Sequence, residues 1–140
     1  MVDVFTKEKR REIMASVKSR DTKPEKIIRS LVHRMGFRFS LHRSDLPGKP
    51  DIVLPRHGKV IFVHGCFWHG HARCRKATMP ATNTVFWTEK IAKTKTRDTK
   101  AKRQLRRAGW QVLVVWECEI VRTEKLMRKL NQFFERENEQ

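Results

Sequence analysis

The sequence predicts an α/β fold with a mixed central sheet flanked by helices, and three features lead there. Lys59-Val60-Ile61-Phe62-Val63 is almost continuously apolar, the composition of a strand buried on both faces. Trp110–Trp116 is a second apolar run, reached through a long helical stretch closed by Gly109, and a strand entered after such a crossover lies parallel to its neighbour. Helical segments also precede the first strands and follow the last, giving the order αα-βββ-α-β-α.

Element by element, residues Lys7–Ser19 read as a basic helix with Ile13, Met14 and Val17 on one side. Thr22-Lys23-Pro24-Glu25 opens a second helix: Thr22 is its N-cap, Pro24 sits in the first turn, and Glu25 falls at the capping-box position. Ile27, Ile28, Leu31, Val32 and Met35 form the core stripe of that helix, and Gly36 stops it. Phe37–Leu41 alternates as a strand, Ser44–Pro50 is a loop, and Pro50–Leu54 is the next strand. Pro55–Gly58 turns the chain into the strand that ends at His64. A helix is expected from about Val85 to Ala108, and a last amphipathic helix over Thr123–Glu135 carries Leu126, Leu130, Phe133 and Phe134. Trp110 and Trp116 read as core residues of the last strand.

At 140 residues the chain predicts one domain with a real core. Its 32 Lys and Arg against 15 Asp and Glu give a formal charge of +17, the balance of a polyanion binder, with nucleic acid first among the partners. Between Asp51 and Glu89 there is no acid at all. Charge alone does not separate an enzyme from a solvated basic face or a ribosomal-type architectural role. An odd count of three cysteines, without an N-terminal apolar segment, argues against a disulfide scaffold and for a reducing compartment. No run approaches membrane-spanning length, so a soluble cytoplasmic protein with no membrane partner is expected.

The densest chemistry lies in Val63–Cys74, which holds two cysteines, three histidines and the pair Phe67-Trp68. Cys66-x4-His71-x2-Cys74 lacks a fourth ligand, and Cys118 is the remaining cysteine. Cys66 follows one strand and Cys118 follows the other. If those strands are parallel neighbours, both thiols emerge at one sheet edge and a Cys3His structural zinc site closes. His69 could replace His71 in that set, and three buried thiols without metal are the plainer alternative.

Asp51, at the start of an apolar strand, is a candidate magnesium ligand, a backbone carbonyl of the adjacent strand and waters completing the octahedron. Its plainer role is a turn aspartate. His64 and His69 are spare histidines suited to general acid–base work, or to a hydrogen bond at the sheet edge or with a phosphate. Glu25 either caps its helix or orients a metal-bound water near Asp51. Phe67 and Trp68, among basic residues, suit stacking or wedging between bases, and Trp87 either joins them or packs between helix and sheet. Met14 is either a core residue or a second wedge.

Pro50-Asp51, the run Val60-Ile61-Phe62-Val63-His64-Gly65-Cys66-Phe67-Trp68-His69, Phe86-Trp87-x2-Lys90-Ile91, Arg97-Asp98 and Gly109-Trp110-x5-Trp116-Glu117-Cys118 resemble the very short patch repair (Vsr) DNA mismatch endonucleases. The match runs from about Arg20 to Cys118 and includes Thr22-x2-Glu25. The resemblance implies a restriction-endonuclease-like fold and a monomeric, magnesium-dependent nickase of bacterial, nucleoid-associated DNA. Such enzymes cut 5′ of the thymine in T:G mismatches left by 5-methylcytosine deamination, and mismatch-repair proteins are a class of partner to consider.

On this chain the resemblance assigns magnesium to Asp51 and the Val63 carbonyl. Acid–base work falls chiefly to His69, assisted by His64 and Glu25, and structural zinc to Cys66, His71, Cys74 and Cys118. Phe67, Trp68 and Trp87 would wedge from the major groove and Met14 from the minor groove, with Lys90 at the mismatch. The implied division is a basic arm over 1–20, a catalytic core over 21–118 and a closing helix over 119–140.

Three positions depart from what is usual. Phe62-Val63-His64 stands where the wider fold carries acid-x-Lys, which within this family moves acid–base duty to histidine. His71 and the second cysteine are one residue further apart than in well-known members. Thr94 replaces a base-reading asparagine, which bears on flanking-sequence preference. A zinc DNA-binding module without catalysis, or a double-strand nuclease of the same fold, are the rival readings.

Overall fold

The structure is a computed structural model and describes residues 21–136. The basic arm with Met14, and the last four residues, lie outside the described residues. Helix α1 (Lys23–Arg34) leads to β1 (Ser40–Leu41), β2 (Ile52–Leu54) and β3 (Lys59–His64). Helix α2 (Thr84–Arg107), β4 (Gln111–Trp116) and α3 (Thr123–Glu135) complete the chain. The described order αβββαβα therefore follows the expected one.

The four strands form one sheet in the order β1-β2-β3-β4. β1–β2 and β2–β3 are antiparallel hairpin neighbours, whereas β3 and β4 run parallel across six register pairs from Lys59–Gln111 to His64–Trp116. The crossover through α2 is what makes that pair parallel, as the sequence predicts.

Alternation along the strands sorts the side chains into two layers. Ile52, Leu54, Ile61 and Val115 face α1 and α3, meeting Ile28, Val32, Leu126, Leu130 and Phe133. Val53, Val60 and Phe62 face α2 and meet its Leu105, with Trp110, Val112 and Val114 packed around them. Helices thus cover both faces of the sheet, and β3 is buried on both, as its composition predicts. Lys59 is also inside, its Nζ donating to the Arg136 carbonyl just past the end of α3 at 2.6 Å.

The first strand is shorter than the alternation of Phe37–Leu41 suggests. Only Ser40 and Leu41 pair with β2, because Phe37 is taken by a ring stack with Phe134 (centroids 4.0 Å) and Phe39 packs on the α1–α3 core. Tertiary packing wins over local period there. At the helix start, the Thr22 hydroxyl accepts from the Glu25 N–H (3.3 Å), but the Glu25 carboxylate returns to the Asp21 N–H (3.1 Å) rather than to that of Thr22. The capping box is thus displaced by one residue on its return leg.

The two layers do not tolerate loss of their large side chains. Phe133→Ala, at a fully buried site, is expected to lower unfolding free energy by about 3–5 kcal/mol. Val121→Ala, at a position 81% exposed, should change it by less than about 0.5 kcal/mol. Urea denaturation midpoints of the two variants measure the contrast.

Candidate active site and metal centre

All candidate side chains within the described region converge on the edge of the sheet where β3 and β4 end. β2 starts there as well, because it runs antiparallel to β3. The Val63 N–H donates to Asp51 Oδ2 at 2.6 Å. Since the N–H and C=O of one strand residue face the same neighbour, the Val63 carbonyl also looks toward Asp51.

Asp51 lies beside Glu25, which is only 2% exposed. Burial, opposed by the Val63 N–H and reinforced by the Glu25 carboxyl, pushes the Asp51 carboxyl up to about 7. Two carboxyls held together out of water are a site that a hard cation would relieve, and carboxylate with carbonyl oxygen is the donor set magnesium prefers. Glu25 is therefore both a helix-capping acid and a neighbour of Asp51.

His42 and Arg29 complete this acidic corner, and sequence reasoning missed both. His42 Nε2 is 3.2 Å from Glu25 Oε2, its Nδ1 is 3.9 Å from Asp51 Oδ1, and Arg29 Nη2 bridges Asp21 and Glu25. His42 takes a left-handed backbone (φ 50°) and lies in a loop with no periodic signal.

His64, the last residue of β3, points to the α2 side of the sheet. Its ring lies parallel to that of His69, centroids 3.7 Å apart and planes 2° from parallel. Burial, aided by the neighbouring His69, pulls His64 down to about 3, so it is neutral at physiological pH. Its Nδ1 is buried with no hydrogen-bond partner among the described residues.

His69 Nδ1 lies 2.6 Å from Asp98 Oδ2 on α2. Burial raises Asp98, but the bond and charge of His69 outweigh it and hold the carboxyl below its usual range. An ionised Asp98 can only accept, so Nδ1 carries the proton and Nε2 is the working nitrogen. Asp98 appears in the sequence as part of Arg97-Asp98 with nothing to mark it as the partner of His69. The i, i+7 relation of Ile91 and Asp98 on α2 was the available signal, since it puts Asp98 on the side that carries a buried residue.

The cluster of thiols includes His71, whereas His69 gathers with His64 and Asp98. Ligand atoms of Cys66, His71, Cys74 and Cys118 all lie within 4.8 Å of one another, and Cys118 Sγ is 3.5 Å from His71 Nδ1. Three thiols and one imidazole at that spacing suit a tetrahedral soft-metal site. The plainer alternative of three unrelated core thiols does not hold, since only Cys66 is fully buried. Burial pushes the Cys66 thiol up to about 12, a charge cost that a bound cation would remove.

Trp116 belongs to this site and to neither core cluster, against the core role that its apolar strand suggests. Its ring stacks on His71 (4.1 Å) and meets His64 edge-on (5.3 Å), and it is half-buried rather than enclosed. The loop also docks on α2: a Cβ on Gly70, at φ 60°, would come within 2.7 Å of Ile91 Cγ2, so no larger residue fits.

Phe67, Trp68 and Trp87 gather into one edge-to-face cluster, with centroids 5.2, 5.4 and 5.8 Å apart. Phe67 and Trp68 are half-buried, whereas Trp87 is 8% exposed and packs behind them. Lys90 Nζ lies over Trp68 and over Phe86, at 5.9 and 5.8 Å. Exposed Val85 and Phe86 extend the apolar surface at the start of α2 and were not singled out from sequence. Thr94 is half-buried, and its hydroxyl donates to the Lys90 carbonyl at 3.1 Å.

The family model described as DNA mismatch endonuclease Vsr matches residues 2–76. The chain is 49% identical to the type II nicking enzyme V.XorIIP of Xanthomonas oryzae, over 86% of this chain and 88% of that protein. It is 44% identical to the DNA mismatch endonuclease Vsr of Escherichia coli, over 90% of this chain and 80% of that one. A third relative, the type II nicking enzyme V.NmeAIP of Neisseria meningitidis, is 43% identical over 94% of each chain. Among the described residues no helix is long and apolar enough to cross a membrane.

The acidic corner has a measurable consequence. The Asp51 carboxyl titrates near 7 when folded and has an ordinary value of 3.8. The metal-free folded protein therefore holds the extra proton between those limits, and stability falls as pH rises through that window and levels off above it. Asp51→Asn removes this loss. Urea midpoints should show the variant more stable than wild type at pH 8, by a few kcal/mol in order of magnitude, with the gap closing toward pH 4. A constant gap at all pH values would contradict the shift.

Proposed function

The chain belongs to the DNA mismatch endonuclease Vsr family, and from that premise we propose that it nicks double-stranded DNA on the 5′ side of the thymine in T:G mismatches. Mismatches of that kind arise by deamination of 5-methylcytosine, and the nick would begin very short patch repair. The observation that carries the reading is the pairing of two unlike groups at one sheet edge: Asp51 tied to the Val63 backbone, and His69 held by Asp98 with His64 stacked on it. We read the mixed sheet between helix layers as a restriction-endonuclease-like core over 21–118, preceded by the arm 1–20 and followed by the closing segment 119–140. The enzyme would act as a monomer on nucleoid DNA, with mismatch-repair proteins as candidate partners.

Asp51 and the Val63 carbonyl would hold magnesium, which when bound supplies positive charge at the scissile phosphate and an acidified water. The chain's own residues supply the rest. Asp98 fixes the tautomer of His69, leaving Nε2 to take a proton from water or give one to the leaving oxygen. His64 stays neutral and, through its stack, limits how far the His69 ring turns. Glu25 steadies the Asp51 side and can orient a water there.

Cys66, His71, Cys74 and Cys118 would hold structural zinc, fixing the loop that carries His69, Phe67 and Trp68. The aromatic cluster would wedge beside the mismatch from the major groove, with Met14 from the other side and Lys90 at the mismatched bases. A T:G pair is cheaper to unstack than a Watson–Crick pair, so insertion of rings discriminates by deformation energy. Thr94, with its hydroxyl turned back on the helix, offers less base readout than an amide would, so a loose flanking preference is expected.

A nicking assay with magnesium on T:G and matched duplexes tests the reading. Cleavage of only the thymine strand of T:G DNA is expected, with Asp51→Ala reducing the rate by at least ~100-fold while binding survives. Equal cutting of matched DNA, or cutting of both strands, would favour a double-strand nuclease. Full nicking by Asp51→Ala would leave a different catalytic centre or none.

For the second metal, purified protein should contain close to one equivalent of zinc, and Cys118→Ser should lose both the metal and the ordered loop. A metal-free, fully active Cys118→Ser protein would remove zinc from the design.

A further inference from the structure

Beyond the end of β4 lies a basin of about 850 Å³ whose use the cutting centre does not explain. Its floor is His71, Cys74, Trp116 and Cys118, and its walls carry Arg73, Arg75, Lys76, Arg122, Lys125 and Lys129. A single carboxylate, that of Glu119, lines it. That acid is already committed, accepting from Lys129 Nζ at 2.8 and 3.0 Å and from the Trp116 N–H at 2.9 Å. The other five basic side chains are exposed and form no ion pair among the described residues. Five like charges around one concavity repel each other and lower stability unless a polyanion completes them.

The position of the basin says which polyanion. β4 is the edge strand, and its last residue, Trp116, is the register partner of His64. Across one rim of the sheet the order is therefore Asp51 at β2, His64 at β3, Trp116 at β4, and then the basin. Strands are about 4.8 Å apart, so the basin begins about 10 Å from the Asp51 side. With the sheet rim set along the duplex axis, on which each strand advances about 3.4 Å per nucleotide, that distance is about two to three nucleotides.

We propose that this basin is a subsite for the phosphodiester backbone of the cut strand, about two to three nucleotides from the cut. The inference rests on the nicking function proposed above. It adds a binding surface on the outer side of the Cys/His loop, separate from the aromatic wedge. A backbone lying there contacts the loop from outside while the rings engage bases from the other side, and the loop is held between the two. Contacts to phosphate position the strand by charge and carry no sequence information of their own.

Two changes test it together, with Kd measured against salt concentration in the absence of divalent metal. The protein change is Arg75→Ala/Lys76→Ala/Arg122→Ala/Lys125→Ala, all exposed positions, with Arg73→Ala as a milder single variant. The DNA change replaces the phosphates at the second and third positions on either side of the cut by neutral methylphosphonates, one side at a time. The quadruple variant is expected to reduce the salt slope by about two to three, and the affinity at roughly 0.1 M salt by about 100-fold. Methylphosphonates on the correct side should lower the wild-type slope as well, and the two losses should not add when combined. An unchanged slope in the quadruple variant overturns the proposal, as does full additivity with neutral DNA on both sides. Failure of wild type to nick T:G DNA would overturn the underlying function instead, and the metal-free binding measurement is independent of it.

Discussion

The parallel pairing of β3 with β4 is the constraint on which the rest of the molecule depends. Its six-pair register puts His64 beside Trp116 and so delivers Cys66 and Cys118, each two residues beyond, to the same edge. A one-residue slip would turn His64 away from α2 and from the His69 ring stacked on it, and would bury the wrong side of both strands. The sulfur site and the histidine pair thus share one cause. The antiparallel β2–β3 hairpin adds the third member, since it begins where β3 ends and so brings Asp51 to Val63.

Two donor sets of different kind sit close together at this edge. The Asp51 side offers carboxylate and carbonyl oxygen, whereas the Cys66 side offers three thiols and an imidazole. Hard and soft donors sort their cations by type rather than by position. Both sites carry the cost of desolvation in the metal-free protein, visible as the raised Asp51 carboxyl and the raised Cys66 thiol. A local instability of that sort is the usual companion of a functional centre, and here the two helix layers supply the stability that tolerates it.

Much of this was readable from sequence where one residue type at a fixed spacing carries the chemistry. The apolar runs of β3 and β4, the long crossover and the positions of Cys66 and Cys118 together predict the parallel pair and the four-ligand cluster. What was not readable depends on which side chain a ring happens to meet. Asp98 reaches His69 across 29 positions from a helix rich in Lys and Arg, and His42 reaches Glu25 and Asp51 from an irregular loop with a left-handed backbone. Trp116 reads as core because its strand is apolar, yet its place at the strand end leaves one face for His71. Phe37 looks like a strand residue by alternation and is drawn off by Phe134. In each case a contact distant in sequence overrides a local pattern.

The aromatic cluster bears on how discrimination can arise on the proposed function. Phe67 and Trp68 are not free blades in the unbound protein, since they pack edge-to-face on each other and on Trp87. Entering a base stack therefore exchanges ring–ring contacts for ring–base contacts of similar size, about 0.5–1.5 kcal/mol per aromatic pair beyond area. With gain and loss nearly balanced on the protein side, the sign of the whole step is left to the DNA. Unstacking a sound pair costs a few kcal/mol and a mismatched one less. The balance is what makes the wedge selective: rings that gained strongly on insertion would open any sequence. Phosphate contacts at a distance from the wedge, including those of the basic basin, raise affinity for all DNA equally and leave that difference intact.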